Sequence, residues 1–225
     1  MKTPIYLSHP LSNDTPLYGG VKKIKISLGS SIQAGDTANT LNLSLPNHSG
    51  THIDVPYHFF EDGKKLTDYD ASFWIFHHPA CVDVCGEDGY LVRYDDIVDS
   101  INNETDLLLI RTGYEKFRSE PNYWQKNPGL SVDFAKSLRI NHPNLRAVGM
   151  DFISVTSGLH REEGREAHRE FLGGHYSSDP IVLIEDVSLN NYQNNISQVI
   201  ILPLMILGAD GAPCTIIGQK EKVLV

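Results

Sequence analysis

Eight short runs rich in aliphatic and β-branched residues punctuate this chain and constrain its fold more than any other feature. They are KKIKISL, TLNLSL, ACVDVC, TDLLLIRT, LRAVGMD, PIVLIEDV, VIILPLMI and CTIIGQ. Several alternate apolar with polar residues and most are bounded by Gly, Asn, Asp or Pro, which is the pattern of strands. Helical periodicity is confined to YDDIVDSI, to SVDFAKSLRI, where Ser131 and Asp133 are placed to cap, and to GREAHREFL with its charged outer face. Sheet therefore dominates, and the expected architecture is a mixed α/β domain with a barrel-like mixed sheet and helices packed outside it. No repeat, low-complexity stretch or Pro/Gly/Ser-rich linker divides the 225 residues, so one domain over 1–225 is expected.

Charge narrows the function. The formal net charge is −9, and the 19 Lys and Arg are scattered, so there is no basic patch for a phosphate backbone and nucleic acid is not an expected partner. No apolar run is long enough to span a bilayer, and the opening MKTPIYLSHPLSNDTP has neither an apolar signal core nor a basic amphipathic face. A cytoplasmic protein without membrane contact is expected. Cys81, Cys85 and Cys214 are odd in number and lack metal-site spacing, so they read as small core residues.

The chemistry is concentrated in NHSGTHIDVPYHFF, where His48, His52, Asp54 and His58 fall within eleven residues. All are at even positions, hence on one face of an extended chain. Full extension would hold His48 and His52 about 13 Å apart, too far to share an ion bound at about 2.1 Å. The chain must bend between them, and Gly50 is the residue that permits it. His52 and Asp54 share a face without any bend. Pro56 fixes its own φ and favours a strand exit that swings His58 back over the site. Imidazoles and a carboxylate so arranged point to a divalent metal centre.

The same segment, read as HSGTHIDVPYHF, is similar to the signature HxGTHxDxPxHF of the cyclase family, which includes bacterial kynurenine formamidases and isatin hydrolases. Further similarities follow in the family's order: YLSHPLSNDTPLYGG, LLLIRTGYEKF, PGLSVDFAKSLR, VGMDFISV and ILPLMILGADGAPCTII. The resemblance implies a swivelling β/β/α fold and a homo-oligomer, dimer or tetramer. It also implies one or two divalent ions, zinc or manganese, held by His48, His52 and Asp54, with His58 as the catalytic proton carrier. A distal His and Glu are implied as well, and AHREFLGGHYSSDPIVLIED offers His168 and Glu185. His160 competes with His168, since eight residues of helix separate positions that face similarly. His168 is preferred because it sits in the HRxxL match, whereas His160 belongs to a charged, exposed HREEGRE loop.

His9, His77, His78 and His175 are assigned no role. Asp151 and Ser154 either orient a ligand or close a strand end. Phe59, Phe60, Trp74 and Phe76 either line an aryl pocket or, the preferred assignment, pack in the core. The implied activity is hydrolysis of an amide-type C–N bond in a small carbonyl substrate, an N-formyl aromatic amine or a cyclic amide. A lactone or ester hydrolase, or a dehydrating cyclase, would use the same residues. A metal-stabilised binding protein without turnover would need a closed coordination sphere.

Overall fold

Every run read as a strand overlaps one, though several extend past its ends. The computed structural model describes residues 3–174, 176–190, 192 and 196–220, so His175 lies outside the described residues. In chain order the strands are β1 (Thr3–Tyr6), β2 (Lys25–Ser30), β3 (Thr40–Ser44), β4 (His52–Asp54), β5 (Ile75–Phe76), β6 (Pro79–Asp83) and β7 (Leu91–Val92). There follow β8 (Leu107–Arg111), β9 (Gly129–Leu130), β10 (Ala147–Met150), β11 (Val182–Glu185), β12 (Ile196–Pro203) and β13 (Gly211–Lys220). The helices are α1 (Asn122–Gln125), α2 (Val132–Asn141) and α3 (Arg161–Leu172).

Nine strands make one mixed sheet in the order β5-β12-β13-β4-β11-β10-β8-β6, with β1 added to β13. β6, β8, β10 and β11 run parallel, and the other pairings are antiparallel. The ends of that order, β5 and β6, are joined by His77 and His78 alone, so the sheet curls until its edges are neighbours. The result is the barrel-like mixed sheet expected from the sequence. β2 and β3 form a separate hairpin, and β7 pairs with β9.

Burial on both faces explains the unbroken LLLI of β8. Leu107 and Leu109 join Ile53, Phe76, Val199 and Ile216 inside the curled sheet. Leu108 and Ile110 face the other way, onto Phe134 and Leu138 of α2 and Phe171 of α3. Two helical expectations hold with adjusted bounds. Ser131 caps α2 by accepting a hydrogen bond from the Phe134 N–H at 3.1 Å, while Asp133 sits in the first turn. α3 begins at Arg161, so HREEGRE is the start of a helix and not a loop; Glu162 and Glu163 occupy the first turn, where the helix dipole favours anions.

YDDIVDSI is not a helix. It forms two 3-10 turns, Tyr94–Asp96 and Val98–Ser100, broken at Ile97, whose φ is −132°. Asp96 there accepts from the Arg93 N–H at 2.7 Å and from the Tyr90 hydroxyl, competing locally with helix, while Ile97 turns into the core. Among the described residues no helix is long and apolar enough to cross a membrane.

Candidate active site

β4 is short but central, flanked by β11 on one side and β13 on the other. Its middle residue, Ile53, points into the curled sheet, so His52 and Asp54 present their side chains to the helix-covered face. The register sets Glu185 of β11 opposite His52, which puts the two on the same face. From above, α3 contributes His168, which like His52, Asp54 and Glu185 is almost fully buried.

The bend required before β4 is at Gly50, whose φ of 61° lies in the left-handed region. It folds His48 back so that its Nδ1 lies 2.7 Å from Asp54 Oδ1. After Asp54 the strand stops, and Pro56 opens the 3-10 turn Pro56–His58. That turn brings the His58 ring to 4.3 Å from the ring of His48. Each expectation about this local path is met.

Two of the imidazoles are oriented by backbone carbonyls. His52 Nδ1 donates to Gly50 O at 2.8 Å and His168 Nδ1 to Gly164 O at 2.7 Å, which leaves both Nε2 atoms to face the carboxylates. His52 Nε2 stands 3.4 Å from Glu185 Oε2 and 3.5 Å from Asp54 Oδ1, and His168 Nε2 stands 3.4 Å from Glu185 Oε1 and 3.8 Å from Asp54 Oδ2. These gaps exceed good hydrogen bonds. They match the roughly 3.4 Å between two donor atoms that each lie about 2.1 Å from an ion in tetrahedral geometry. Buried nitrogens and acidic oxygens at ligand spacing fit a divalent cation. His52, Asp54 and Glu185 offer atoms within 4.8 Å of one another, and so do His48, Asp54 and His58, with Asp54 common to both groups.

In the metal-free protein these carboxylates are compensated by protons on the histidines. Burial opposes the imidazolium of His48, but Asp54 and Asp210 outweigh it and push its pKa up to about 9. His52 and His168 are likewise raised, burial being overcome chiefly by Glu185 and Asp54. Burial alone would raise Glu185, yet His168 and His52 hold it far below the usual carboxylate range. A cation would replace those protons.

The donors line a cavity of about 260 Å³ whose apolar wall includes Leu17, Tyr18, Phe59 and Ile153. Of the four aromatic residues weighed for an aryl pocket, Phe59 lines the cavity and stacks on His168 at 4.9 Å. Phe60 packs beside the helix-side core, and Trp74 and Phe76 are buried inside the sheet. Ser154 lines the cavity. Asp151 does not; it accepts from the Thr112 and Gly113 N–H groups and closes the turn after β8. His160 occupies the N-cap position of α3, exposed and without a side-chain cap bond, and is not part of the cavity lining.

Sequence reasoning missed Tyr18 and Asp210. Asp210 Oδ2 accepts from His58 Nδ1 at 2.7 Å and from His48 Nε2 at 2.9 Å. Its only local signal was its setting in GADG ahead of a strand.

A curled mixed sheet that presents imidazoles and carboxylates at ligand spacing to a small cavity defines the class, a protein with a buried site suited to a divalent ion. The chain belongs to the cyclase family, whose model, "Putative cyclase", matches residues 5–157. It is 30% identical to the kynurenine formamidase of Bacillus mycoides (strain KBAB4) over 216 residues, covering 95% of this chain and 96% of that enzyme. Identity to the kynurenine formamidase of Bacillus cereus (strain ATCC 14579) is also 30%, over 217 residues, with 95% and 96% covered. Among solved structures, isatin hydrolase A from Labrenzia aggregata, bound to benzyl benzoate, superposes with a TM-score of 0.82 at 19% identity, covering 98% of this chain and 94% of that one. That likeness shows the fold.

Proposed function

We propose that this chain is a metal-dependent hydrolase that opens the C–N bond of a small carbonyl compound, an N-formyl aromatic amine such as N-formylkynurenine or a cyclic amide. One observation carries this reading: His52, His168, Asp54 and Glu185 converge at ligand spacing on a cavity that Phe59 and Tyr18 wall with aromatic surface. The whole-length similarity to kynurenine formamidases supports the amide-type substrate.

His48, His52, Asp54, His168 and Glu185 would hold zinc or manganese, as one ion or as two sharing Asp54. A divalent ion there supplies Lewis acidity, lowering the pKa of water and polarising a carbonyl oxygen. The residues of the chain do the rest. Backbone carbonyls of Gly50 and Gly164 fix the Nδ1 protons of His52 and His168, so that Nε2 is the atom each ring would offer an ion in place of its second proton. Phe59, Tyr18 and Leu17 bind the aryl part of the substrate and exclude water around it. His58, on the cavity wall, accepts the proton of the attacking water and delivers it to the leaving nitrogen, which must be protonated as the C–N bond breaks.

A non-catalytic metal site would close its coordination sphere with protein atoms, whereas these donors face an open cavity. The test is metal analysis of the purified protein combined with a turnover screen of N-formyl aromatic amines, isatin-like lactams and lactones. Stoichiometric zinc or manganese with hydrolysis of an N-formyl amine or lactam is expected. Preference for lactones would reassign the substrate class, and bound metal without turnover of any of the three would overturn the reading.

A further inference from the structure

Asp210 stands outside every role assigned so far, yet it is tied to the site by more hydrogen bonds than most residues in it. Its backbone carbonyl accepts from the Val55 N–H at 3.1 Å, where the chain leaves β4, and the next residue, Gly211, pairs with Asp54 in β13. A Cβ at Gly211 would sit 2.3 Å from Ile53 O and 2.9 Å from His48 Cε1, so only glycine lets the strand and the ring approach this closely. The Asp210 carboxylate is clamped at both oxygens. Asn47 Nδ2 donates to Oδ1 at 2.6 Å, and the two imidazoles, His58 through Nδ1 and His48 through Nε2, converge on Oδ2.

One oxygen that accepts from two rings determines the tautomer of both. We propose that Asp210 is the positioning residue that sets His58 and His48 together, holding the proton of His58 on Nδ1 and that of His48 on Nε2. This rests on the hydrolase reading above. His58 is then left with Nε2 as its basic nitrogen, and His48 with Nδ1, beside Asp54, as its free donor atom. A carboxylate held behind an imidazole in this way orients the ring and keeps the base in its useful tautomer. Because the same oxygen serves a metal-side histidine and the proton carrier, it couples their placement.

Asp210→Asn tests this with little change of shape. Asn47 already donates to the Oδ1 side, so the new amide should place its oxygen there and turn its NH₂ toward His48 and His58, imposing the opposite tautomer. In ¹⁵N-histidine-labelled, Zn²⁺-loaded protein, two-bond ¹H–¹⁵N spectra should show His58 protonated on Nδ1 in the unaltered chain and on Nε2 in the variant. Unchanged tautomers would overturn the proposal, whether or not a substrate is found. The Zn²⁺ dissociation constant should rise about 10- to 100-fold, the usual effect of losing a partner behind a ligand. With zinc saturating, kcat should fall roughly 10²- to 10⁴-fold with little change in KM. In a His58→Ala background the same substitution should cost almost nothing further in kcat. Full additivity there would make Asp210 a merely structural residue, and loss of one stoichiometric ion from Asp210→Asn would make it a ligand. If the unaltered enzyme turns over none of the candidate substrates, the hydrolase reading fails while the tautomer result still decides the role of Asp210.

Discussion

Glu185 stands directly opposite His52 in the antiparallel β4–β11 pair, with Oε2 3.4 Å from Nε2. The motif around His52 and a distant acidic residue thus become one donor set through strand register. A slip of one residue would turn Glu185 to the other face of the sheet.

Because His52 and Asp54 lie at the centre of that set, His52→Ala and Asp54→Ala are each expected to abolish tight metal binding. Elemental analysis after dialysis measures this. Stoichiometric metal in both variants would remove the foundation of the proposed function.

Glu185→Gln should weaken metal occupancy far more than Glu162→Gln. Glu185 is buried between His52 and His168, whereas Glu162 is an exposed member of a surface pair with Arg165. Exposed pairs contribute about 0–1 kcal/mol, so the Glu162 variant also serves as the control for stability. Competition titration with a zinc chelator reads the difference, and equal affinities would place the distal ligand elsewhere.

His58→Ala should keep its metal, since in the proposed site His52, Asp54, His168 and Glu185 would hold the ion without it. Turnover of an N-formyl amine should fall roughly 10²- to 10⁴-fold, the span of a lost acid/base group. Metal loss in this variant would instead make His58 a ligand, in line with its place beside His48 and Asp54.

The metal-free protein should lose stability as pH rises. His48 has its pKa raised from 6.5 to about 9, so its contribution is complete below 6.5 and is lost as pH climbs through 9. His52 and His168 are raised in the same sense. Zinc affinity should move the opposite way over that window, since fewer protons remain to be displaced. Urea midpoints of EDTA-treated protein and zinc titrations at pH 6, 7.5 and 9 check both trends; a midpoint that rises with pH would contradict the first.

Gly50→Ala should destabilise the fold by about 1–2 kcal/mol, because an L-residue must there adopt left-handed backbone. Its Cβ would also lie 2.8 Å from Leu11 Cδ2. The variant should bind zinc more weakly than the unaltered chain, since the bend that folds His48 toward Asp54 is strained. Denaturant unfolding together with zinc titration reads both effects.

The local half of the site was legible in the residues because its geometry is local. Spacing of two puts His52 and Asp54 on one face, and the glycine and proline bound the path that returns His48 and His58 to them. The eight apolar runs likewise announced a sheet, since burial on one or both faces of a strand writes itself as alternation or as unbroken aliphatic sequence. Tertiary structure decided the rest. His168 rather than His160 reaches the carboxylates because α3 starts at Arg161 and leaves His160 at its exposed end. Asp210 joins His48 and His58 only because β13 pairs with β4, and strand order is set by packing across the whole sheet. YDDIVDSI failed as a helix because the Asp96 side chain and the burial of Ile97 outweighed a weak periodicity. Contacts between residues far apart in sequence leave no mark in either neighbourhood, so a carboxylate that orients two histidines looks, in its own segment, like any aspartate before a turn.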